Sequence, residues 1–513
     1  MVDPGPRPTG SAAPPGPAGR CPMRDGRVQI HADTHDADDA GLWRELRARF
    51  GAVAPVEMAP GVPGWLLLGY HENLRVLRDQ DRFAADPRAW SRRPEWHGTA
   101  GPRSGALAGD GPGHRRVRSA IVDGLAQIST AQVVPLVERT ARGLIGAALH
   151  AGGMDLIGQY AAPLPALVLN RLLGLPDAYG HLLAGLAADI WSGDPARAEP
   201  ATRGLHTYAK GLVERKRADP GDDLASRLLA HPAGLSDDEA AEQLLLLWAA
   251  GHEPTTHLIG NALYRLLCVP EVAAAYGGAS LPADDFLDHI MWVDPPLRML
   301  AGRFSARDVE LGGAHIRRGD ALVLGFGPAH ADPAVIARAD TGDTAAFAGN
   351  RAHLMWGAGA HGCPAQSLAR EIAGTAIDAV VSRLPRMAPA IPPAAMRRRS
   401  SLSVNGLAEL PVAFPAEGGP RPGAAPERRA AESGRTRRMF RRAGRPRAQG
   451  ARYQAPAAAP EEPPAEPVRP ARPAPAARQR ATGARYQAPA ASAAPAHDAL
   501  DALLEIRGHN GPG

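Results

Sequence analysis

Cysteine is scarce in this chain: Cys21, Cys268 and Cys363 are the only three in 513 residues. So few argue against a disulfide framework and fit a reducing cytosol. Long hydrophobic runs are missing as well. The longest, Leu244 to Gly251, is followed by His252, Glu253 and His257, too short and too interrupted for a membrane span. Residues 1–25 are rich in Pro and Gly and hold no apolar stretch, which argues against a secretory signal peptide there. They read as a disordered N-terminus, and residues 26–415 as one folded unit.

From residue 416 onward the chain lacks apolar bulk and lysine. Fifteen prolines fall in those 98 residues. Such a segment buries too little surface to offset its ordering entropy, so 416–513 reads as a disordered Ala/Pro/Arg-rich tail. Its 17 arginines oppose nine acidic residues, a net +8; the whole chain is +5, which leaves residues 1–415 at −3. The basic pI is therefore a property of the tail. Nine arginines lie between Arg428 and Arg447. That run suits a solvated linker, or an acidic protein, acidic lipid or nucleic acid as partner. The expectation is a linker, with an acidic protein as the partner kept in view and nucleic acid set aside. GARYQAPAA occurs at 450–458 and again at 483–491, as a docking motif or as slippage of a repetitive gene. His497 to Arg507 reads as a short amphipathic helix with Leu500, Leu503 and Leu504 on one face. It suits either a partner or the body of this chain.

What the chain does have is one informative loop, Trp356-Gly-Ala-Gly-Ala-His361-Gly-Cys363-Pro364-Ala365. Pro364 suits the first position of a helix. That would put Cys363 at a helix N-terminus, where free N–H groups and the macrodipole lower a thiol pKa. Gly357, Gly359 and Gly362 permit backbone geometries that side chains forbid and let a flat cofactor approach. On these residues alone, Cys363 is either a thiolate metal ligand or a buried inert cysteine.

Around it, the pattern predicts mostly helix with short strands near both ends. Helices are expected at Gly41–Phe50, Glu72–Asp79, Thr130–Ala151, Met154–Leu175 (broken by Pro163 and Pro165) and Asp237–Leu267. Strands are expected at Gly64–Leu68, Val309–Gly312 and Ala321–Leu324. Trp90–Arg103 and Ile190–Gly204 read as pocket-forming loops without legible chemistry.

The stretch His353–Ala365 resembles the haem-binding loop of the cytochromes P450, usually F-G-x-G-x-H-x-C-x-G, with Trp356 for phenylalanine and Ala365 for the last glycine. Further segments resemble that family in order: Asp110-Gly-Pro-Gly-His114-Arg-Arg-Val-Arg118, Asp222–Leu229, Asp294-Pro-Pro followed by Arg303, and Ala329-His-Ala-Asp-Pro333. The resemblance covers about 390 residues. It implies a mainly α fold with small β-sheets and a haem b whose iron is ligated by Cys363. His114, Arg118, Arg303 and His361 would hold the haem propionates, with Trp356 and Gly357 in the cofactor cradle. Arginine's planar fork suits carboxylates.

Two motifs depart from the family. The central helix reads Ala250-Gly251-His252-Glu253-Pro254-Thr255-Thr256, where most relatives have A-G-x-E-T. Glu253 keeps the acid position, and Pro254 takes the threonine position. Proline removes an N–H and its ring clashes with the Ala250 carbonyl, so it should preserve the family's local kink and leave that carbonyl free for water, but it supplies no hydroxyl. Thr255 is next door, turned about 100° around a helix. Glu253, Thr255, Ala250 and Gly251 are the candidate catalytic positions. Glu253 is either a proton relay or a buried, paired carboxylate. The family's E-x-x-R falls on His289 and Trp292, so both of its charges are gone, and no clear third arginine follows, although Arg351 lies nearby. His289 and Trp292 are expected to rebuild that contact by packing and an indole N–H bond.

The resulting expectation is a bacterial-type, cytoplasmic P450 monooxygenase that hydroxylates a small apolar molecule. Electrons from NAD(P)H would come through a ferredoxin and its reductase, since no flavin or iron–sulfur motif is present in the chain. Leu297, Met299 and Leu300 are the expected pocket residues. The altered motifs keep two alternatives in view: a P450-fold redox or regulatory partner protein, and a peroxide-dependent variant.

Overall fold

The computed structural model describes residues 23–416 apart from 25, 31–38, 92–104, 191–194, 279, 336–346, 348, 400 and 402, together with Leu500. The helices are α1 (Asp39–Phe50), α2 (Tyr70–Arg78), α3 (Gly111–Ala126), α4 (Thr130–Ala148), α5 (Pro163–Leu172), α6 (Asp177–Ile190), α7 (Pro195–Ala218), α8 (Leu224–Ala230), α9 (Asp237–Cys268), α10 (Pro270–Gly277), α11 (Ala283–Val293), α12 (Phe326–His330) and α13 (Gln366–Arg383). The strands are β1 (Met23–Arg24), β2 (Arg27–Gln29), β3 (Val53–Ala59), β4 (Val62–Leu67), β5 (Phe83–Ala84), β6 (Gly153–Asp155), β7 (Met299–Ser305), β8 (Val309–Leu311), β9 (Ala314–Ile316), β10 (Ala321–Gly325), β11 (Ala388–Pro389) and β12 (Pro411–Ala413). The largest sheet runs β1-β2-β3-β4-β10-β7-β5. Its β4–β10 pair is parallel and its β10–β7 pair antiparallel, with a bulge at Leu322/Val323.

α9 is the axis of the helical layer and packs against α5, α7, α10, α11 and α13. Its start is written locally. Ser236 caps the N-terminus in a reciprocal box with Glu239, and Asp237 and Asp238 sit in the first turn, where the helix dipole favours anions. One core cluster surrounds the C-terminal half of α9, with Tyr160, Ile259, Phe286 and Ile377 in its interior. A second joins α6, α7 and α8 to the N-terminal half, with Leu183, Leu212, Leu228 and Trp248.

Several sequence expectations are corrected here. Met154–Leu175 is not one helix: β6 occupies its start, a π-helical turn follows at Ile157–Ala161, and α5 begins at Pro163. The interruption falls at the prolines as expected, and Pro163 opens α5, because the first turn needs no N–H partner. α4 ends at Ala148 and continues as a 3₁₀ turn to Ala151, closed by left-handed Gly152 (φ 69°). β1 lies inside the segment read as an N-terminal extension, and most of Ile190–Gly204 is the beginning of α7. The proposed helix at 497–507 lies outside the described residues except for Leu500. Among the described residues, no single helix is long and apolar enough to cross a membrane.

Candidate functional site

The Cys363 loop is two 3₁₀ turns, Leu354–Trp356 and Gly359–His361, closed by the Cys363 N–H donating to the Trp356 carbonyl at 2.7 Å. Gly357 (φ 65°) and Gly359 (φ 69°) both need left-handed backbone. A Cβ at Gly359 would stand 2.6 Å from the Leu77 carbonyl of α2, so that glycine allows the loop to lie on α2. Gly362 has ordinary backbone (φ −55°, ψ 145°). α13 begins at Gln366, after a turn, so Pro364 is not its first residue and Cys363 stands three residues before it. The expected thiol activation is therefore weaker than the sequence suggested. Burial pushes the Cys363 thiol up, against the opposing pull of the Ala365 N–H and the Arg118 charge.

The sequence-predicted cations converge on this loop. The His114 and His361 rings lie 4.2 Å apart and both face the Ala106 carbonyl. Arg118, one turn along α3 from His114, donates to the Gly362 carbonyl. Arg303 comes from β7, is buried, and donates only locally, to the Gly302 carbonyl at 2.8 Å. Asp110 ahead of α3 orders the corner: it accepts the Ala85 and Asp86 N–H groups at 2.9 Å each and faces His361 at 3.4 Å. Burial opposes its ionisation, but the bonds from His361, Asp86 and Ala85 outweigh that and lower its pKa. Burial and the nearby His361 push His114 down to about 4, so its ring is neutral near pH 7.

These residues fit a planar group carrying two carboxylates. Arg303 and Arg118 make no ion pair among the described residues, and burial lowers the pKa of both guanidinium groups. His114 Nδ1 and the Trp356 indole nitrogen are buried with no hydrogen-bond partner among the described residues. An unmatched buried cation is costly, so this corner calls for anions. A thiol beside it supplies a soft metal ligand.

α9 passes through the interior and yet exposes Ala249 and Ala250 at its middle. A buried helix with exposed mid-points borders a cavity. It runs unbroken through Pro254, whose missing N–H leaves the Ala250 carbonyl without its usual helical donor. Glu253 is buried and doubly held. His257 Nε2–H donates to its Oε1 at 2.9 Å and Arg399 at 3.1 Å, while His252 Nδ1 stands 3.8 Å from Oε2. Burial opposes its charge, but His257 and Arg399 prevail and its pKa is lowered. His252 donates to the Ala162 carbonyl and stacks on Trp248 at 5.1 Å. Thr255 is buried, and the buried Thr256 hydroxyl lacks a partner. Met299 is not a pocket residue: strand alternation sends it into the opposite cluster with Val28 and Trp43, while Leu297 and Leu300 are half-buried.

Behind the loop, the acid missing from the E-x-x-R position is one residue upstream. Asp288 is fully buried and binds Arg370 of α13 and His353 (3.0 Å); Arg351 lies 3.4 Å away. Burial opposes its ionisation, but His353 and Arg370 lower its pKa. Trp292 donates its indole N–H to the Asn350 carbonyl at 2.8 Å, and its ring packs on Tyr70, His330 and Phe347. His289 packs on Phe347 at 5.7 Å. Sequence reasoning passed over Asp288 and Arg370. The available signal was the one acid within the apolar stretch Phe286–Val293 of α11.

Comparison with known proteins agrees with this geometry. The chain is 32% identical over 376 residues to cytochrome P450 105C1 of a Streptomyces species, covering 71% of this chain and 92% of that protein. The chain belongs to the cytochrome P450 family. It is 30% identical to the 6-deoxyerythronolide B hydroxylase of Saccharopolyspora erythraea, covering 75% of this chain and 98% of that one. The solved P450 CYP154A1 from Streptomyces coelicolor superposes with a TM-score of 0.66 at 27% identity, covering 74% of this chain and 98% of its own. No protein-family model matches the chain. The chain is a P450 monooxygenase, an oxidoreductase of bacterial type.

Proposed function

We propose that this P450 binds haem b through Cys363 and hydroxylates a small apolar molecule. The single observation carrying the reading is the gathering of His114, Arg118 and His361 at the loop that presents Cys363, with Arg303 in electrostatic reach of Asp110 beside it and neither arginine in an ion pair among the described residues. Haem iron ligated by a thiolate supplies dioxygen activation when bound. Arg118 and Arg303 would hold its propionates, with His114 and His361 completing that edge, and Trp356 and Gly357 would line the cradle. Ala249, Ala250 and Gly251 keep the opposite wall low and apolar, and Leu297 and Leu300 extend it. The Ala250 carbonyl, released by Pro254, accepts a water or a substrate hydroxyl. Glu253 rests ionised and relays by taking up and releasing a proton transiently at Oε2, the oxygen that the His257 and Arg399 bonds leave open. The Thr255 hydroxyl serves the same water chain. The relative named as a hydroxylase of 6-deoxyerythronolide B supports a small-molecule substrate. Electrons reach the protein in the cytoplasm from NAD(P)H through a ferredoxin and its reductase.

The test is a carbon monoxide difference spectrum of the reduced protein, followed by turnover of a substrate panel with surrogate ferredoxin and reductase. A thiolate-type band that disappears in Cys363→Ala, with hydroxylated product from the wild type, is the expected result. Absence of haem uptake would overturn the reading. Product formed with peroxide and none with the electron-transfer partners would move the chain to the peroxide-dependent class.

A further inference from the structure

One described residue of the C-terminal region is out of place for a free tail. Leu500 is helical and has 0% exposure. It belongs to the core cluster of α6, α7 and α8, with Tyr208 and Leu212. Its seat is Gly211 on α7: a Cβ there would lie 2.8 Å from Leu500 Cγ, and the nearest atoms around that position all belong to Leu500. Gly211 is itself buried although its neighbours Lys210 and Glu214 are exposed. The recess around it is lined by Arg203, His206, Thr207, Lys210, Gly211 and Glu214, one stripe of α7.

We propose that His497–Arg507 docks in cis, as an amphipathic helix, on this stripe of α7, anchored by Leu500 over Gly211. Three observations fit this occupant. Leu503 and Leu504 fall beside Leu500 at helical spacing and extend its apolar stripe. Asp501, three residues before Leu504, borders that stripe, while α7 offers Arg203, His206 and Lys210. Lys210 also stands 3.6 Å from Asp238, so its charge is shared. Finally, 83 residues lie between Ala416 and Leu500. A flexible chain of that length spans about 50 Å root-mean-square, which reaches α7 and holds the segment at an effective concentration in the millimolar range. The arginine-rich stretch is then a loop tethered at both ends, and α7, which packs on α9 above the candidate site, carries an added strap.

Hydrogen exchange on the full-length protein tests this. Amides of 501–507 are expected to exchange at least tenfold more slowly than those of 421–496. Leu500→Asp should erase that difference, as should Gly211→Leu, whose new side chain displaces only Leu500. The α9 amides should stay protected in both variants, showing that the body remains folded. Equal exchange of the two segments in the wild type would overturn the proposal, as would protection that survives Leu500→Asp. Light scattering should show a monomer; a dimer whose 501–507 protection fades on dilution would replace cis docking by exchange between copies and overturn the proposal as stated.

Discussion

The Cys363 loop and the corner formed by α11 and the start of α13 lie back to back, yet they are built by opposite means. The loop is local. Ten consecutive residues supply its turns, its glycines and its cysteine, and one backbone bond from Cys363 to Trp356 closes it. The corner is non-local. Asp288, Arg351, His353 and Arg370 come from three separate stretches and meet around one buried carboxylate. A local device tolerates changes elsewhere in the chain. A buried ion network tolerates wholesale relocation but not the loss of one member. The chain shows this: the family's glutamate and arginine positions hold His289 and Trp292, and the network is re-formed around Asp288.

The strongest way to break the contrast is Cys363→Ala. The haem-thiolate signal should vanish completely, while the chemical denaturation midpoint of the haem-free protein moves little. Asp288→Asn should do the reverse. It strands Arg370 and His353 in the interior, and equilibrium denaturation of the haem-free protein should show a loss of about 3–5 kcal/mol. If Asp288→Asn left stability unchanged, the corner would not be held by its charge.

Acid sharpens the same comparison. Burial, aided by the nearby His353, holds His330 down to about 3, and it accepts the Leu354 N–H at 2.8 Å just ahead of the loop. Its folded pKa lies below the unfolded value, so its contribution is fully present above about pH 6.5 and is lost as pH falls toward 3. Stability should drop by about 1.4 kcal/mol per pH unit in that window from this residue. His330→Gln should flatten that slope in denaturation curves taken at successive pH values.

Glu253→Gln should cost about 1.5–3 kcal/mol, the range for a hydrogen bond to a charged group, through weakened bonds to His257 and Arg399. A relay role adds a second signature that a structural role lacks: a larger solvent deuterium isotope effect on turnover in the variant. The smallest effect is expected for Trp292→Phe. It keeps the ring packing and removes one bond to the Asn350 carbonyl, worth about 1 kcal/mol in thermal or chemical unfolding.

Legibility followed the same divide. Cys363, the loop glycines and the long helix at Asp237–Leu267 are contiguous patterns, so the sequence reading located them. The prolines of α5 marked a break, but the strand ahead of it went unread, because β6 exists only by pairing with β12 far along the chain. Met299 misled it because a strand's two faces differ only by what each meets. Asp288 escaped it because an acid in an apolar helix gains meaning only from the arginine and histidines that close around it.

By itself, the sequence determined the family and located the Cys363 loop and the basic residues His114, Arg118 and His361 that meet it, because each is carried by short spacings along the chain. Only the tertiary structure decided that Glu253 is held by His257 and Arg399, that the missing ion network survives at Asp288, and that Leu500 sits over Gly211. Those contacts join residues far apart in sequence, where burial and long-range pairing choose the partner and no local pattern records it.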